Sequence, residues 1–235
     1  MTKAGSDWSS ASQRPLFQVR ASEDTLIISL PRPSSVISWA AVNGGLRTQA
    51  AHIILHRFTE TLDCEDSAKI LRRAASRARI QGSFVGMITT ADIRSHSIKT
   101  NDYQEFRVWV LSTASCQTLS TVGQPGSTVE GRASALEAGA INLVVAVNYH
   151  FTHEAMLEAM AIATEAKVKA LHELGLRNHL AMAATGADLD CVAIACGHDR
   201  RYHFSGKHTK WGELIGKACV ESTKGAIKAA VSAQA

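Results

Sequence analysis

The chain has 235 residues, of which 46% are apolar, 20% are charged and 6% are aromatic. These fractions are typical of a soluble globular protein, and they exclude disorder as its main state. The 25 basic and 21 acidic residues give a net charge of +4 and form no long block of one sign, so the charge favours no nucleic-acid partner.

The sequence predicts neither a membrane span nor a secretion signal. Its most apolar run, residues 141–147, is much shorter than the roughly 18–20 apolar residues that a span needs, so we expect no membrane insertion. Residues 1–15 are polar and rich in serine, without the apolar core of a signal peptide. We expect them to form a flexible tail in front of one domain over 16–235.

The five cysteines are an odd number at scattered spacings, which a reducing compartment tolerates as small buried side chains. We therefore expect a cytoplasmic protein without a disulfide framework. Cys191 and Cys196 lie near His198 in the sequence, but their spacing of five directs them to opposite faces of a strand, where they cannot share an ion. We predict no metal site and no cofactor.

The first predicted elements form a β-hairpin. Short runs of β-forming residues at 16–20 and 25–30 are separated by the turn-like triplet Ser-Glu-Asp. Pro31 and Pro33 follow directly, and we expect them to end the second strand.

Two helices and two strands are predicted in the next part of the chain. Asn43 is a suitable N-cap for a helix over 44–59, and a second helix is predicted over 66–79. The segments 84–89 and 107–113 are rich in Val, Ile, Phe and Trp, which indicates two strands of one sheet.

The second half of the chain alternates strands and helices. Residues 115–139 contain many Gly, Ser and Thr and predict a long loop. In the run 141–147 the residues of both alternating faces are mostly apolar, which is typical of a central strand covered on both faces. A helix is predicted to begin after Thr152 and to end at Gly175. A strand over 191–195 and a last helix over 210–231 complete the pattern.

Together these elements predict an α/β (α+β) fold. We expect a single domain with a mixed β-sheet of about six or more strands, packed with four main helices. The sequence contains no internal repeat, and it leaves a homo-oligomer open.

One lysine of the helix after Thr152 lies on its apolar side. At about 100° per residue, the large apolar side chains cover about a third of the helix circumference, and Thr164 and Lys167 project from this stripe, whereas Glu165 lies on the far side. An unpaired ammonium in an apolar interior needs a carboxylate partner or loses its proton, which makes Lys167 a candidate functional residue. The alternative is that its methylenes follow the core and its charge reaches solvent at the edge.

The sequence lacks the G-x-S-x-G, P-loop and G-x-G-x-x-G motifs, which removes the usual support for esterase-type serine chemistry and for nucleotide binding. Two strings of small residues, Asn43-Gly44-Gly45 and 205–209, precede predicted helices. Free backbone N–H groups at such places can receive an anion or a developing oxyanion. Simple turn and cap chemistry is the alternative for both strings.

A set of short motifs follows one order along the chain. They occupy residues 42–46, 86–91, 139–142, 163–167, 184–190, 206–209 and 212–215. This ordered set resembles the adenosylcobinamide amidohydrolases over about residues 16–230, nearly the whole chain. The resemblance implies a corrinoid-salvage enzyme with a small-molecule substrate. Such an enzyme hydrolyses the amide between the aminopropanol arm and the corrin ring of adenosylcobinamide and releases adenosylcobyric acid.

The resemblance also implies where the pocket lies. We expect Lys167 or Glu165 to act as base toward water or a threonine hydroxyl, and His208 to protonate the departing amine. Asn142 and a backbone N–H of the Gly44-Gly45 turn are expected to hold the oxyanion. The matched positions expected to bind the substrate are Asn43, Gly44, Gly45, Thr89, Thr90, Thr164, Thr185, Asp190 and Thr209.

Two departures from the family's pattern leave the substrate open. Ala140 stands where the family has a hydroxyl residue, and Ala187-Asp188-Leu189 stand in place of a Thr/Gly-rich string. One alternative is an amidohydrolase for another imported metal chelate, such as a hydroxamate siderophore. The other is a non-catalytic relative that binds a corrinoid or another chelate.

Overall fold

The structure is a computed structural model that describes residues 15–22, 24–58, 64–126 and 138–233. The predicted flexible tail over 1–15 lies outside the described residues apart from Pro15. In chain order the elements are β1 (Gln18–Ser22), β2 (Thr25–Ser38), β3 (Gly45–Arg57), α1 (Cys64–Arg77), β4 (Phe84–Thr89), β5 (Ser97–Tyr103), β6 (Phe106–Ser115), β7 (Leu119–Ser120), β8 (Ala140–Val147), β9 (His150–Phe151), α2 (His153–Glu173), β10 (Gly186–Ala187), β11 (Cys191–Cys196), β12 (Arg201–Tyr202) and α3 (Lys210–Ser232).

Eight of the described strands form one mixed sheet in the order β4-β3-β2-β11-β8-β6-β5, with β1 paired to β2. At its centre β8 and β11 are parallel, whereas β11 runs antiparallel to β2 and β8 runs antiparallel to β6. The pairs β7–β10 and β9–β12 form two small ladders. The predicted single α+β domain with a mixed sheet is therefore confirmed.

The sheet folds over on itself. One core cluster packs Ile53 of β3 and Met87 of β4 against Val144 of β8, although β8 is not a neighbour of either strand in the sheet. On the outer side of the β1–β4 half, α1 packs Leu71 against Ile54, and α2 and α3 cover the outer side of the other half. The order of layers is α1, the β1–β4 half, the β5–β11 half, and α2 with α3.

The predicted helix over 44–59 is wrong, because residues 45–57 form the strand β3; residue 59 lies outside the described residues. Residues 53–55 are apolar in succession and fully buried, since β3 is covered on both faces, and this run resembles a helical stripe. Asn43 and Gly45 have φ values of 55° and 75°, so they form the turn between β2 and β3 instead of a helix cap. The described residues contain three helices, one fewer than predicted.

Pro31 and Pro33 do not end β2, which continues to Ser38. The register between β2 and β3 shifts between Ser29 and Ser34, so the prolines lie at an irregularity where a regular ladder N–H is not required. The strand β5 is missing from the prediction because its sequence, SIKTNDY, is mostly polar and largely exposed.

The remaining predicted helices and strands lie within a few residues of their predicted bounds, whereas the predicted loop over 115–139 contains the short strand β7, and its residues 127–137 lie outside the described residues. As predicted, Thr152 caps α2, where its Oγ1 accepts a hydrogen bond from the N–H of Ala155 at 3.3 Å. The predicted strands over 84–89, 107–113, 141–147 and 191–195 correspond to β4, β6, β8 and β11. Among the described residues, no helix is long and apolar enough to cross a membrane.

Candidate active site

Lys167 is buried on the inner side of α2 and forms an ion pair with Asp190. The side chains of Lys167 and Asp190 are 7% and 11% exposed, and no other lysine, arginine or acidic residue within the described ranges is as buried as Lys167. Its Nζ donates a hydrogen bond to Oδ2 of Asp190. The prediction that this lysine lies on the apolar side of the helix and needs a partner is confirmed.

Asp190 directly precedes β11 and is fixed by backbone groups from two other segments. Its Oδ1 accepts from the N–H of Ile141 at 2.8 Å, at the start of β8, and its Oδ2 accepts from the N–H of Ala187 at 3.0 Å. Burial raises the pKa of Asp190, whereas the Lys167 ammonium and the two backbone donors oppose this rise. The carboxylate therefore acts as an anchor that holds the ammonium of Lys167 in one place.

Gly186 leaves the space that the ion pair occupies. A Cβ atom at this position would lie 2.9 Å from Nζ of Lys167 and closer still to Oδ2 of Asp190. Any larger residue would therefore displace one partner of the pair. The sequence motif contained Gly186, but without the fold nothing showed that its missing side chain makes room for Lys167.

Trp39 is an exposed aromatic residue next to the ion pair. Its indole Nε1 donates to the backbone oxygen of Asp190 at 2.7 Å, and 48% of the residue is exposed. An exposed aromatic ring held in a fixed orientation is suited to contact a flat, partly apolar ligand. The sequence analysis missed Trp39, because its only signal is a contact with a residue 151 positions away.

Asn142 lies on the other side of β8 from the ion pair. Its side chain points into the core between the two halves of the sheet, as does that of Val144, and its Nδ2 donates to the backbone oxygen of Ile88 at 3.1 Å. The neighbouring N–H of Ile141 binds Asp190. The start of β8 thus separates two polar groups, Lys167–Asp190 outside the sheet and Asn142 inside it.

The Asn43-Gly44-Gly45 turn is occupied with local contacts. Asn43 Nδ2 donates to the backbone oxygen of Phe84 at 2.7 Å, and a Cβ atom on Gly44 would lie 2.5 Å from the oxygen of Ala40. A strand follows this turn instead of a helix. The helix dipole on which the predicted anion site depended is therefore absent from this position.

The predicted substrate-binding threonines bond mainly to backbone groups. Thr89 Oγ1 accepts from the N–H of Ala91 at 3.1 Å, and Thr90 Oγ1 donates to the oxygen of Ala138 at 2.8 Å, close to the start of β8. Thr164 Oγ1 donates within α2 to Met160, and Thr185 Oγ1 accepts from Val122 N–H. Thr89 and Thr90 thus lie at the end of β4 that the bonds of Asn142 and Ala138 connect with the start of β8.

Glu165, His208 and Thr209 lie on the outer side of α2. Glu165 forms an exposed ion pair with Lys207 at 2.5 Å and lies about 200° around the helix from Lys167. Thr209 caps α3, where its Oγ1 accepts from the N–H of Gly212 at 3.0 Å. The structure does not bring these three residues together with Lys167 and Asp190.

The position of the His208 loop explains this separation. The backbone N–H of Gly206 donates to Glu158 Oε2 at 2.9 Å, and Glu158 precedes Lys167 by about 14 Å along the helix axis. His208 itself is exposed. Its imidazole therefore lies beside the outer face of α2, away from the buried ammonium.

We expect His208→Gln to leave kcat/KM within about twofold of the wild-type value. A general acid in the same pocket as Lys167 would instead predict a loss of about 10²–10⁴-fold. The measurement is steady-state amide hydrolysis by the two proteins at matched pH. A loss in the larger range would place the imidazole in the reaction and contradict its assignment to the outer face of α2.

The thiols near the ion pair are unsuited to act as nucleophiles at neutral pH. Burial raises the pKa of Cys116 to about 11 and that of Cys191 to about 12, and the charge of Asp190 contributes to both shifts. A protonated thiol is a poor nucleophile. Cys116 and Cys191 are therefore not candidates for the nucleophile.

A cavity of about 840 Å³ lies at the opposite end of the central strands. The cavity lies where β8 and β11 end. Val147, Cys196, Arg32 and His198 are among the residues that line it. None of the predicted site residues lines it. Because the ion pair and Asn142 lie on the two sides of the sheet where β8 and β11 begin, we place the candidate site there and not in this cavity.

Comparisons with known proteins agree with the motif order. Residues 9–235 match the model of the adenosylcobinamide amidohydrolase (CbiZ) family. The uncharacterized protein MJ1613 of Methanocaldococcus jannaschii is 36% identical over 88 residues, which are 37% of this chain and 34% of that protein. The chain thus aligns with about a third of the length of this relative.

Two solved structures were also found in the comparison. A Burkholderia sp. β-aminopeptidase has a TM-score of 0.46 at 10% identity, covering 92% of this chain and 82% of its own. The L-aminopeptidase D-Ala-esterase/amidase of Ochrobactrum anthropi has a TM-score of 0.40 at 11% identity, covering 92% and 83%. The family match, which spans nearly the whole chain, is what decides the identity. The chain belongs to the adenosylcobinamide amidohydrolase family.

Proposed function

We propose that the enzyme hydrolyses the amide between the aminopropanol arm and the corrin ring of adenosylcobinamide. The reaction consumes one water molecule: the carbonyl carbon gains a hydroxyl group to give adenosylcobyric acid, and the nitrogen gains a proton and leaves as the amine. The family match supports this substrate. The observation that carries the mechanism is the buried Lys167–Asp190 pair.

Lys167 has hydrogen-bonding capacity to offer to a substrate. Its ammonium has three N–H bonds, of which one donates to Asp190, and the residues that the structure describes show no acceptor for the other two. Because the side chain is buried, a hydrogen bond from this cation to an oxygen that gains negative charge is stronger than in water. Lys167 is therefore placed to stabilise an oxyanion.

The partner of Lys167 favours this role over that of a general base. Nζ of Lys167 donates a hydrogen bond to Asp190, and Asp190 is itself fixed by two backbone donors, so the side chain of Lys167 is held as a hydrogen-bond donor. In the proposed reaction Lys167 donates a hydrogen bond to the carbonyl oxygen while water attacks the carbonyl carbon. When the tetrahedral intermediate collapses, the proton that the attacking water has lost is transferred to the nitrogen, and the C–N bond breaks.

Trp39 supports a large, flat substrate at this site. Its ring is exposed but held by a hydrogen bond to the backbone oxygen of Asp190. Trp39 therefore contacts the residue whose carboxylate holds Lys167. A corrin ring has extended flat and apolar faces that an indole can contact. We place the reaction in the cytoplasm, where the free thiols of Cys116, Cys191 and Cys196 would stay reduced.

One observation favours a second substrate class. Ala140, where the resembled family has a hydroxyl residue, is fully buried at the start of β8 and offers no hydrogen bond. If that hydroxyl normally contacts the corrinoid, this chain has lost the contact. The alternative function is hydrolysis of an amide in another imported metal chelate, such as a hydroxamate siderophore.

A mass-spectrometric assay tests both functions. The purified enzyme is incubated with adenosylcobinamide and, separately, with a panel of amide-linked chelates, and the products are examined for water added across an amide. Formation of adenosylcobyric acid and free aminopropanol arm is the expected result. Hydrolysis of another chelate alone would establish the alternative, and binding of adenosylcobinamide without any product would contradict the proposed reaction.

A further inference from the structure

Two buried polar atoms near the start of β8 have no hydrogen-bond partner among the described residues. They are Oδ1 of Asn142 and Oγ1 of Thr113, and both residues are 0% exposed. The register between β6 and β8 sets Thr113 directly beside Asn142. Both side chains point between the two halves of the sheet, like those of Leu111 and Val144 on the same strands.

Such a pair is unusual because buried polar atoms are nearly always hydrogen-bonded. A buried donor or acceptor without a partner destabilises the folded state, and an isosteric apolar residue such as Val in place of Thr113 would avoid that cost. The amide of Asn142 is only half used, since its Nδ2 donates to Ile88. What remains is one acceptor, Oδ1, beside one hydroxyl that can donate.

The pair lies behind the proposed reaction site. The residue before Asn142 donates its N–H to Asp190, the anchor of Lys167. Between the end of β4 and the start of β8 there is no ladder of backbone hydrogen bonds, and the Asn142–Ile88 bond connects the two halves there. A substrate group that enters between these strand ends would reach Thr113 and Asn142 without breaking a ladder.

We infer that Thr113 and Asn142 bind an amide group of the substrate. This amide is a primary one and is separate from the amide that is hydrolysed, so one N–H and the carbonyl oxygen lie on the same edge of the group. The N–H donates to Oδ1 of Asn142, and the oxygen accepts from the hydroxyl of Thr113. Both unpartnered atoms are then satisfied by one planar group that offers one donor and one acceptor. This inference rests on the proposed function, and it assigns Thr113, which no motif included, to substrate binding.

The test compares two substitutions of the same kind. Thr113→Val removes the unpartnered hydroxyl between the halves of the sheet, and Thr223→Val removes an unpartnered, fully buried hydroxyl of α3. Because each change replaces an unsatisfied hydroxyl by a methyl group, both variants should keep or raise the Tm. Only Thr113→Val should lower kcat/KM, by about tenfold or more, and Thr113→Ser should restore most of the loss.

The outcomes separate the inference from the proposed function. If Thr113→Val keeps the kcat/KM of the wild type, as Thr223→Val is expected to, the inference is overturned while the hydrolysis of adenosylcobinamide stands. If the wild-type enzyme hydrolyses only another chelate of the panel, the proposed substrate is wrong. The kcat/KM values of the same variants are then compared with that chelate as the substrate. A loss in Thr113→Ser equal to that in Thr113→Val would also overturn the role of the hydroxyl.

Discussion

Lys167→Met is expected to lower kcat by about 10²–10³-fold, since in the proposed reaction it removes the charged donor to the carbonyl oxygen. Methionine keeps the length and apolar stem of the side chain, so the packing of α2 changes little. The measurement is single-turnover hydrolysis of the amide substrate. The matched control is Lys169→Met on the same helix, where the lysine is exposed and pairs with Glu173 at 3.6 Å.

The partner of Lys167 makes a second part of this prediction testable. Without the ammonium, Asp190 is a buried carboxylate that lacks its cation, and breaking such a pair costs about 3–5 kcal/mol. Burial already raises the pKa of Asp190, so in Lys167→Met the folded state binds a proton more readily than the unfolded chain. The stability of this variant should therefore rise as the pH falls through the raised pKa.

The double variant Lys167→Met/Asp190→Asn separates stability from catalysis. It removes both charges, so its unfolding midpoint in urea should recover much of the loss, while its turnover should stay low. Full activity in Lys167→Met, or recovery of activity in the double variant, would remove the ammonium from the mechanism.

Gly186→Ala is expected to abolish measurable turnover and to destabilise the protein. The added methyl group would lie 2.9 Å from Nζ of Lys167 and nearer to Asp190, so the carboxylate must move away from the backbone donors that fix it. Such overpacking typically costs about 1–3 kcal/mol. Circular dichroism during thermal unfolding and the amide assay measure the two effects.

Gly216→Ala provides the matched control for Gly186→Ala. A Cβ atom on Gly216 of α3 would meet Cγ2 of Ile162 at an ordinary 3.7 Å, and alanine favours a helix over glycine by about 1 kcal/mol. This variant should be slightly more stable than the wild type and fully active. Wild-type activity in both variants would show that the space at Gly186 is not needed for the geometry of the ion pair.

The sequence was sufficient to find Lys167, because helical periodicity is a local signal. Two other local signals worked in the same way: Thr152 marks the start of α2, and the continuous apolar run marks β8 as a covered strand. The partner of the lysine follows from long-range contacts: Asp190 meets it because α2 packs against β11, the strand that Asp190 precedes. Periodicity carries no information about that pairing, so the motif alone could place Asp190 in the site but not beside Lys167.

The two main errors in the prediction have different causes. The segment that became β3 has apolar residues on both faces, and a short run of this kind fits a helix as well as a covered strand. The grouping of His208 with Lys167 assumed that motifs of one family face one pocket. The bond from Gly206 to Glu158 fixes the His208 loop on the outer side of α2 instead.

The pairing of β2 with β11 has a consequence for how the chain folds. Trp39 and Asp190, which meet at this pairing, are 151 residues apart, so the contact order of the sheet is high and its closure is expected to be slow. During synthesis the edge of β2 that later receives β11 stays open until most of the chain has left the ribosome. Assembly of the Lys167–Asp190 pair therefore belongs to the last steps of folding, and the nascent chain is exposed to edge-to-edge association until then.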